Sequence, residues 1–169
     1  SIDKEPARSR ETILECRDVV CLNENGRKAV NQISFNIHGG EILGIAGVEG
    51  NGQNELALAI TGMGNYECGS IRVNGQEIKG RDIDQIRALG VAHISEDRMR
   101  MGSAGELSVK ENLISDRMFK KEFRRGPFID RKKVNDFADA CIREYEIACD
   151  HRDEPIRMLS GGNMQKVIV

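Results

Sequence analysis

Glu41-Ile42-Leu43-Gly44-Ile45-Ala46-Gly47-Val48-Glu49-Gly50-Asn51-Gly52-Gln53-Asn54-Glu55 is the stretch that decides the fold. Glu41 to Ala46 is of strand length and apolar on both faces, the pattern of a central strand. Glycines follow at 47, 50 and 52. Gln53 to Met63 then sets Leu56, Ile60 and Met63 on one helical face. Glycines at such a junction let successive backbone N–H groups converge on an anion, and the helix start adds its positive end. The arrangement suits phosphate. The plain alternative is a glycine-rich strand-to-helix turn with no ligand.

The phosphate-loop consensus is GxxxxGK[ST]. Gly47 and Gly52 have its spacing, but Gln53 stands where Lys is required and Asn54 where Ser or Thr is required. The Lys brings charge to the β- and γ-phosphates, and the hydroxyl binds Mg²⁺. A charge-assisted hydrogen bond contributes roughly 1.5–3 kcal/mol, so its loss alone weakens nucleotide binding about ten- to a hundredfold. Gln53 keeps a neutral donor and Asn54 a carbonyl oxygen. This loop is expected to hold phosphate weakly and to be poorly built for transfer. A dinucleotide-binding oxidoreductase is a rival reading. Its GxGxxG needs a third glycine after Gly50-Asn51-Gly52, where Glu55 stands, and the acidic residue near the expected distance, Glu67, sits in a turn with Cys68 and Gly69.

Working outward, Thr12 to Cys21 alternates as a strand, Asn23 to Gly26 is a turn, and Ala29 to Ile37 is a second strand ended by Gly39-Gly40. Ser70 to Val73 reads as a short strand ended by Asn74-Gly75, Asp82 to Leu89 as a helix, and Val91 to Ser95 as another buried strand. His93 on that strand reads as a core histidine. Glu96 to Ser108 reads as a loop and Val109 to Met118 as a helix. Asp130 caps a helix whose stripe is Val134, Phe137, Ala138, Cys141, Ile142 and Tyr145, read as core packing with no cofactor. Strands alternating with helices predict an α/β core, and the stretch from Val109 to Tyr145 a helical insert on it.

Composition narrows the class. The 169 residues suit about one domain, and 25 basic against 27 acidic side chains with no Trp argue against a dedicated nucleic-acid binder. The 18 glycines are about 11% of the chain against a usual ~7%, so the backbone has special work somewhere. No run approaches the ~20 apolar residues of a membrane span, and no signal peptide is expected. Cys16, Cys21, Cys68, Cys141 and Cys149 contain no CxxC pair, so neither a disulfide framework nor a metal site is expected. The chain starts at Ser1 and stops at Lys166-Val167-Ile168-Val169 on an uncapped apolar run, which reads as a cut fragment.

Leu159-Ser160-Gly161-Gly162-Asn163-Met164-Gln165-Lys166 is the sharper signal. A hydroxyl and two glycine amides stand at a helix start, a second place suited to phosphate. Taken alone, Ser160 could be a simple N-cap. With the Gly47 loop, the strand-plus-loop Val91 to Arg98 and the helical insert between, the chain resembles the ATP-binding-cassette family. Gly47 to Asn54 looks like its Walker A loop, and Leu159 to Gly162 with Asn163 and Gln165 like its signature. GIAGVEGNGQ, HISEDR and LSGGN together resemble the second, C-terminal cassette of simple-sugar and nucleoside importer subunits, where a degenerate Walker A is usual.

The resemblance implies a P-loop NTPase core with an antiparallel β edge and a helical subdomain, truncated after the signature. Residues 1–10 would be a linker and 11–169 a partial nucleotide-binding domain. Within it, 11–96 would be the core, 97–162 the Q-loop and helical subdomain, and 163–169 the start of the post-signature helix. Gly47, Glu49, Gly50, Asn51, Gly52, Gln53, Asn54 and Glu55 would form a weak site for ATP and Mg²⁺. Glu96 stands at the Q-loop position in place of glutamine. No aromatic lies between Leu22 and Val30 to stack on adenine. Walker B and the switch histidine would follow residue 169, so no catalytic residue is expected here. Leu159, Ser160, Gly161, Gly162, Asn163 and Gln165 would act in trans on ATP of the first nucleotide-binding domain. The other implied partners are permease subunits and, indirectly, a substrate-binding protein, with no nucleic acid. The setting would be the cytoplasmic membrane face, reached through the permease. Arg98 and Arg100 would face that permease. The basic run Lys120 to Lys133 reads as a solvated face, with permease or lipid headgroups as the alternative. A P-loop regulatory or interaction module without a transport role is the remaining rival.

Overall fold

A computed structural model of the chain describes residues 11–95, 97, 102–118 and 120–169. β1 (Thr12–Leu22) and β2 (Lys28–His38) pair antiparallel across the expected turn. In that turn Asn23 Oδ1 accepts from the N–H groups of Asn25 (3.1 Å) and Arg27 (3.0 Å). β1 also pairs with β3 (Cys68–Val73), and β3 with the short β4 (Gln76–Glu77), giving the order β2-β1-β3-β4. Asn74 and Gly75 join β3 to β4 with φ of 49° and 74°. Two consecutive left-handed residues make the turn whose twist matches a hairpin.

A bulge decides which face of β1 is buried. Cys16, Val19 and Cys21 are all fully buried. A two-residue period cannot carry burial from 16 to 19, so one residue must be absorbed. Asp18 is that residue, with φ 47° and a register shift around it. Its N–H donates to Ser34 Oγ at 2.8 Å, and the Ser34 hydroxyl donates to Asp18 Oδ1 at 3.1 Å. Leu56 and Ala59 of α1 (Gln53–Thr61) and Ile86 of α2 (Ile83–Ala88) pack on that face with Val30 and Ile71. α1 stops at Thr61, so Met63 lies outside it and exposed, and Ala59 takes the place expected for Met63 in the buried face. α2 starts as expected at Asp82, with a reciprocal cap between Asp82 and Gln85.

Two expected strands are absent. Residues 41–48 are irregular, with Ile42 at 87% and Val48 at 74% exposure. Val91 to Ser95 is irregular too, and His93 is half-buried on a coil rather than a core histidine on a strand. A strand exists only where a neighbour takes up its N–H and C=O groups. Among the described residues no strand lies beside either segment.

The chain divides between His93 and Ile94 into two compact units. The second unit begins its regular structure at α3 (Val109–Leu113), shorter than expected and followed by turns to Met118. Ser108 and Glu111 form a capping box on it. A 3₁₀ turn at Lys121–Phe123 leads into a hairpin of β5 (Arg124–Arg125) and β6 (Phe128–Ile129), then α4 (Arg131–Glu144) capped by Asp130 as expected. On α4 Val134, Ala138 and Cys141 are buried, whereas Tyr145 lies past the last helical residue and is half exposed, which corrects its place in the core stripe. α5 (Gly161–Ile168) closes the unit. Val109, Ile147, Ile156, Leu159, Met164 and Val167 form its core. Ile114, Phe123 and Val134 form a second cluster, with the Phe123 and Phe137 rings edge to face at 5.1 Å.

Candidate functional site

The glycine loop is held from below by β2. Gly52 caps α1 at φ 93°, and a Cβ there would stand 2.3 Å from the Ala29 carbonyl oxygen. Only glycine lets the loop sit on that strand. Gly50 is also left-handed, at φ 84°, and the Asn51 N–H donates to the Val48 carbonyl at 3.1 Å. Gln53 does what no lysine is there to do. Its Nε2 donates back to the Val48 carbonyl at 3.2 Å and lies where a Gly47 Cβ would be, 2.2 Å from that position. The side chain in the Lys position thus folds across the loop and satisfies it internally.

The loop's own charge is acidic. Glu49 and Glu55 are the charged residues from Gly47 to Glu55, and no cation stands among them. Glu55 is close enough to act on a core thiol: burial pushes Cys21 up, and the Glu55 charge pushes it further. Glu49, Gly50, Asn51 and Asn54 are exposed, while Gln53 and Glu55 are half-buried. Glu96, Arg98 and Arg100 lie outside the described residues.

The Leu159–Gln165 segment is built the opposite way, rigid beneath and open above. Leu159 and Met164 are buried in the unit's core. Ser160, Gly161, Gly162 and Gln165 are exposed. Ser160 is the N-cap: its Oγ accepts from the Asn163 N–H (3.4 Å) and the Asn163 Nδ2 (3.0 Å). Both bonds use its acceptor side, so the hydroxyl hydrogen is left to donate outward. Asn163 Oδ1 in turn accepts from the Ala148 N–H at 3.0 Å, and Lys166 Nζ donates to the Glu146 carbonyl at 2.6 Å. These two bonds tie α5 to the segment after α4. Sequence reasoning gave no place to Ala148 or Glu146, because a backbone partner carries no side-chain signature. Among the described residues no His, Cys, Asp and Glu group could hold a metal. A cavity of about 370 Å³ is lined by Tyr66, Lys79, Arg81 and Ile86 among others, and includes no residue of either segment. Among the described residues no helix is long and apolar enough to cross a membrane.

Comparison with known proteins gives the family. The nucleoside import ATP-binding protein NupA of Lactococcus lactis subsp. cremoris (strain MG1363) is 33% identical over 167 residues, covering 99% of this chain and 33% of that protein. The glucose import ATP-binding protein TsgD13 of Haloferax volcanii is 33% identical over 171 residues, covering 100% of this chain and 31% of that one. The ribose import ATP-binding protein RbsA of Geobacillus kaustophilus (strain HTA426) is 35% identical over 136 residues, covering 80% and 27%. The chain therefore spans about a third or less of the length of these curated relatives. Among solved structures, an ATP-binding cassette of an ABC transporter superposes with a TM-score of 0.71 at 20% identity, covering 94% of this chain and 63% of that one. A nucleotide-free cassette gives 0.68 at 20%, covering 93% and 63%. These likenesses establish a shared cassette fold. With the family model for ABC transporters matching residues 30–169, the chain belongs to the ABC transporter family.

Proposed function

We propose that the chain is the second nucleotide-binding domain of an importer subunit for simple sugars or nucleosides. It has a weak nucleotide site of its own and presents Ser160 to Gly162 in trans to ATP on the first domain. The carrying observation is the contrast between the two segments. α5 offers an exposed helix start anchored by buried Leu159 and Met164. The glycine loop lacks a cation and is bridged by its own Gln53. Fixed donors aimed at a phosphate stabilise developing charge, whereas a loop that must first release its own side chain binds weakly. ATP with Mg²⁺ supplies the charge these donors meet. In this chain the N–H groups of Gly50, Gly52 and Gln53 would hold its phosphates, the Asn51 N–H being taken by the Val48 carbonyl, with Asn54 offering Mg²⁺ only an amide oxygen.

The relatives' names support the solute class: they are import proteins for nucleosides, glucose and ribose. An importer subunit of this kind works on the cytoplasmic membrane face with permease subunits and, through them, a substrate-binding protein. Gly162→Asp in the full-length subunit tests the trans role. A Cβ at Gly162 meets nothing within 4 Å, and an acid in the first helical turn suits the helix dipole, so the fold is retained. The carboxylate would repel the phosphate. ATP turnover with the permease in vesicles is expected to fall roughly 10²–10³-fold, as when one preorganised donor is lost. Unchanged turnover would overturn the proposal.

A further inference from the structure

The hairpin between the 3₁₀ turn and α4 carries chemistry the proposed function does not use. From Lys120 to Lys133 there are seven basic residues and two acidic ones, Glu122 and Asp130. Asp130 is committed to capping α4, its Oδ1 accepting from the N–H groups of Lys132 (3.1 Å) and Lys133 (3.3 Å). Among the described residues none of the seven cations is in an ion pair. Beside them Phe128 is 74% exposed and Ile129 44%. Phe128 is the one exposed phenylalanine among the described residues.

That exposure is imposed rather than slack. Arg125 pairs with Phe128 and Arg124 with Ile129, so each apolar side chain shares a face with a cation. The Arg124 guanidinium donates to the Pro127 carbonyl across the turn at 3.3 Å. At the hairpin base the Asp130 N–H donates to the Phe123 carbonyl at 2.8 Å, and Phe123 is buried against Phe137. A folded, anchored hairpin therefore holds an aromatic ring in water among unpaired positive charges.

The geometry points to this hairpin as a docking element for an anionic lipid surface, with Phe128 entering the headgroup layer and the flanking Lys and Arg meeting lipid phosphates. An exposed ring on one face of the hairpin and an aliphatic side chain on the other, each sharing its face with an Arg, match an interfacial layer that is apolar inward and anionic outward. A nucleic acid would need several stacking rings, and among the described residues of the hairpin Phe128 is the single exposed one. Each basic residue near an anionic surface is worth about fivefold in affinity. The inference stands apart from the trans reading, because its test contains no nucleotide.

The full-length subunit is sedimented with vesicles of about 30% phosphatidylglycerol in phosphatidylcholine, and with phosphatidylcholine alone, at low and at roughly 0.5 M salt. Binding is expected to the anionic vesicles only, and to weaken with salt. Arg125→Gln/Lys132→Gln/Lys133→Gln should lower affinity about a hundredfold. Phe128→Ser should lower it severalfold. Phe128→Trp, read as a difference emission spectrum against the parent, should shift to the blue on anionic vesicles. Thermal melting checks that the exposed substitutions leave the fold intact, and the salt series and emission shift need no charge variant. Equal binding to both lipids, binding indifferent to the triple variant, or an emission that stays put in the bound protein overturns the inference. So does a blue shift that requires the permease in neutral lipid, which would assign the hairpin to a protein surface.

Discussion

Three alanine substitutions in one loop separate three physical costs. At Gly52, φ is 93° and a new Cβ would meet the Ala29 carbonyl oxygen at 2.3 Å, its carbon at 2.8 Å and Val30 Cγ2 at 3.1 Å. Left-handed backbone costs roughly 1–2 kcal/mol for a residue with a Cβ. Overpacking against fixed backbone costs about 1–3 kcal/mol more. Gly52→Ala is therefore expected to destabilise the first unit by roughly 2–5 kcal/mol. Gly50→Ala carries only the first cost, because φ is 84° and nothing lies within 4 Å. Gly47→Ala carries neither: the atom in its way is the amide end of Gln53, which can swing aside for the loss of one hydrogen bond, at most about 1 kcal/mol. Urea unfolding followed by circular dichroism measures all three. At a slope of about 2 kcal/mol/M the Gly52→Ala midpoint should fall by roughly 1–2.5 M, with Gly50→Ala intermediate and Gly47→Ala near the parent. A Gly52→Ala midpoint no lower than that of Gly50→Ala would falsify the claim that β2 carries the loop.

Nucleotide affinity of the chain should be weaker than micromolar by calorimetry, and Gln53→Lys should tighten it about ten- to a hundredfold; no gain would show that charge is not what the loop lacks. Asn163→Ala removes the bonds to Ser160 Oγ and the Ala148 N–H, and should cost about 1–2 kcal/mol and speed exchange at the Ala148 amide, with Asn163→Asp retaining the protection. Burial pushes the Glu77 carboxyl up, but the Tyr66 hydroxyl and the Ile71 N–H outweigh it and hold Glu77 below the usual carboxylate range. A lowered folded pKa contributes stability above the unfolded value and loses it as pH falls through the folded one. The Tm advantage of the parent over Glu77→Gln should thus be level above about pH 5 and shrink below about pH 4; a gap constant down to pH 3 would count against it. The Cys16 thiol is pushed up to about 12, by burial first and by the Cys21 and Glu15 charges next. Iodoacetamide on the native chain should therefore modify exposed Cys68 and reach Cys16 only on unfolding, which peptide mapping reads directly.

Much of the fold was legible because its determinants are local. Asn23 to Gly26, Asn74-Gly75, Asp82, Asp130 and Ser160 each act within four residues, and each does in the structure what its type allows. The Asp18 bulge was not legible, since it depends on Ser34 across the sheet. Nor were the two missing strands. An apolar run such as Glu41 to Ala46 encodes a demand for burial, not the neighbour that meets it. The loop at Gly47 was legible as a glycine-rich turn ahead of a helix and as one without a cation, because both are written in the residues themselves. How Gln53 spends its amide, and how Asn163 reaches Ala148, needed coordinates.

The bare stretch before the loop has a consequence for the chain in solution. Ile42, Leu43, Ile45 and Val48 stand 39–87% exposed in backbone that joins no strand. The six-residue window Glu41 to Ala46, with two isoleucines and a leucine, a single charge and no proline, is a template for stacking on its own copies. Concentration then becomes a variable of the molecule's behaviour: light scattering should climb with protein concentration, and a lysine in place of Ile42 should suppress it. The segment that leads the chain into its glycine loop is also the one by which separate copies would adhere.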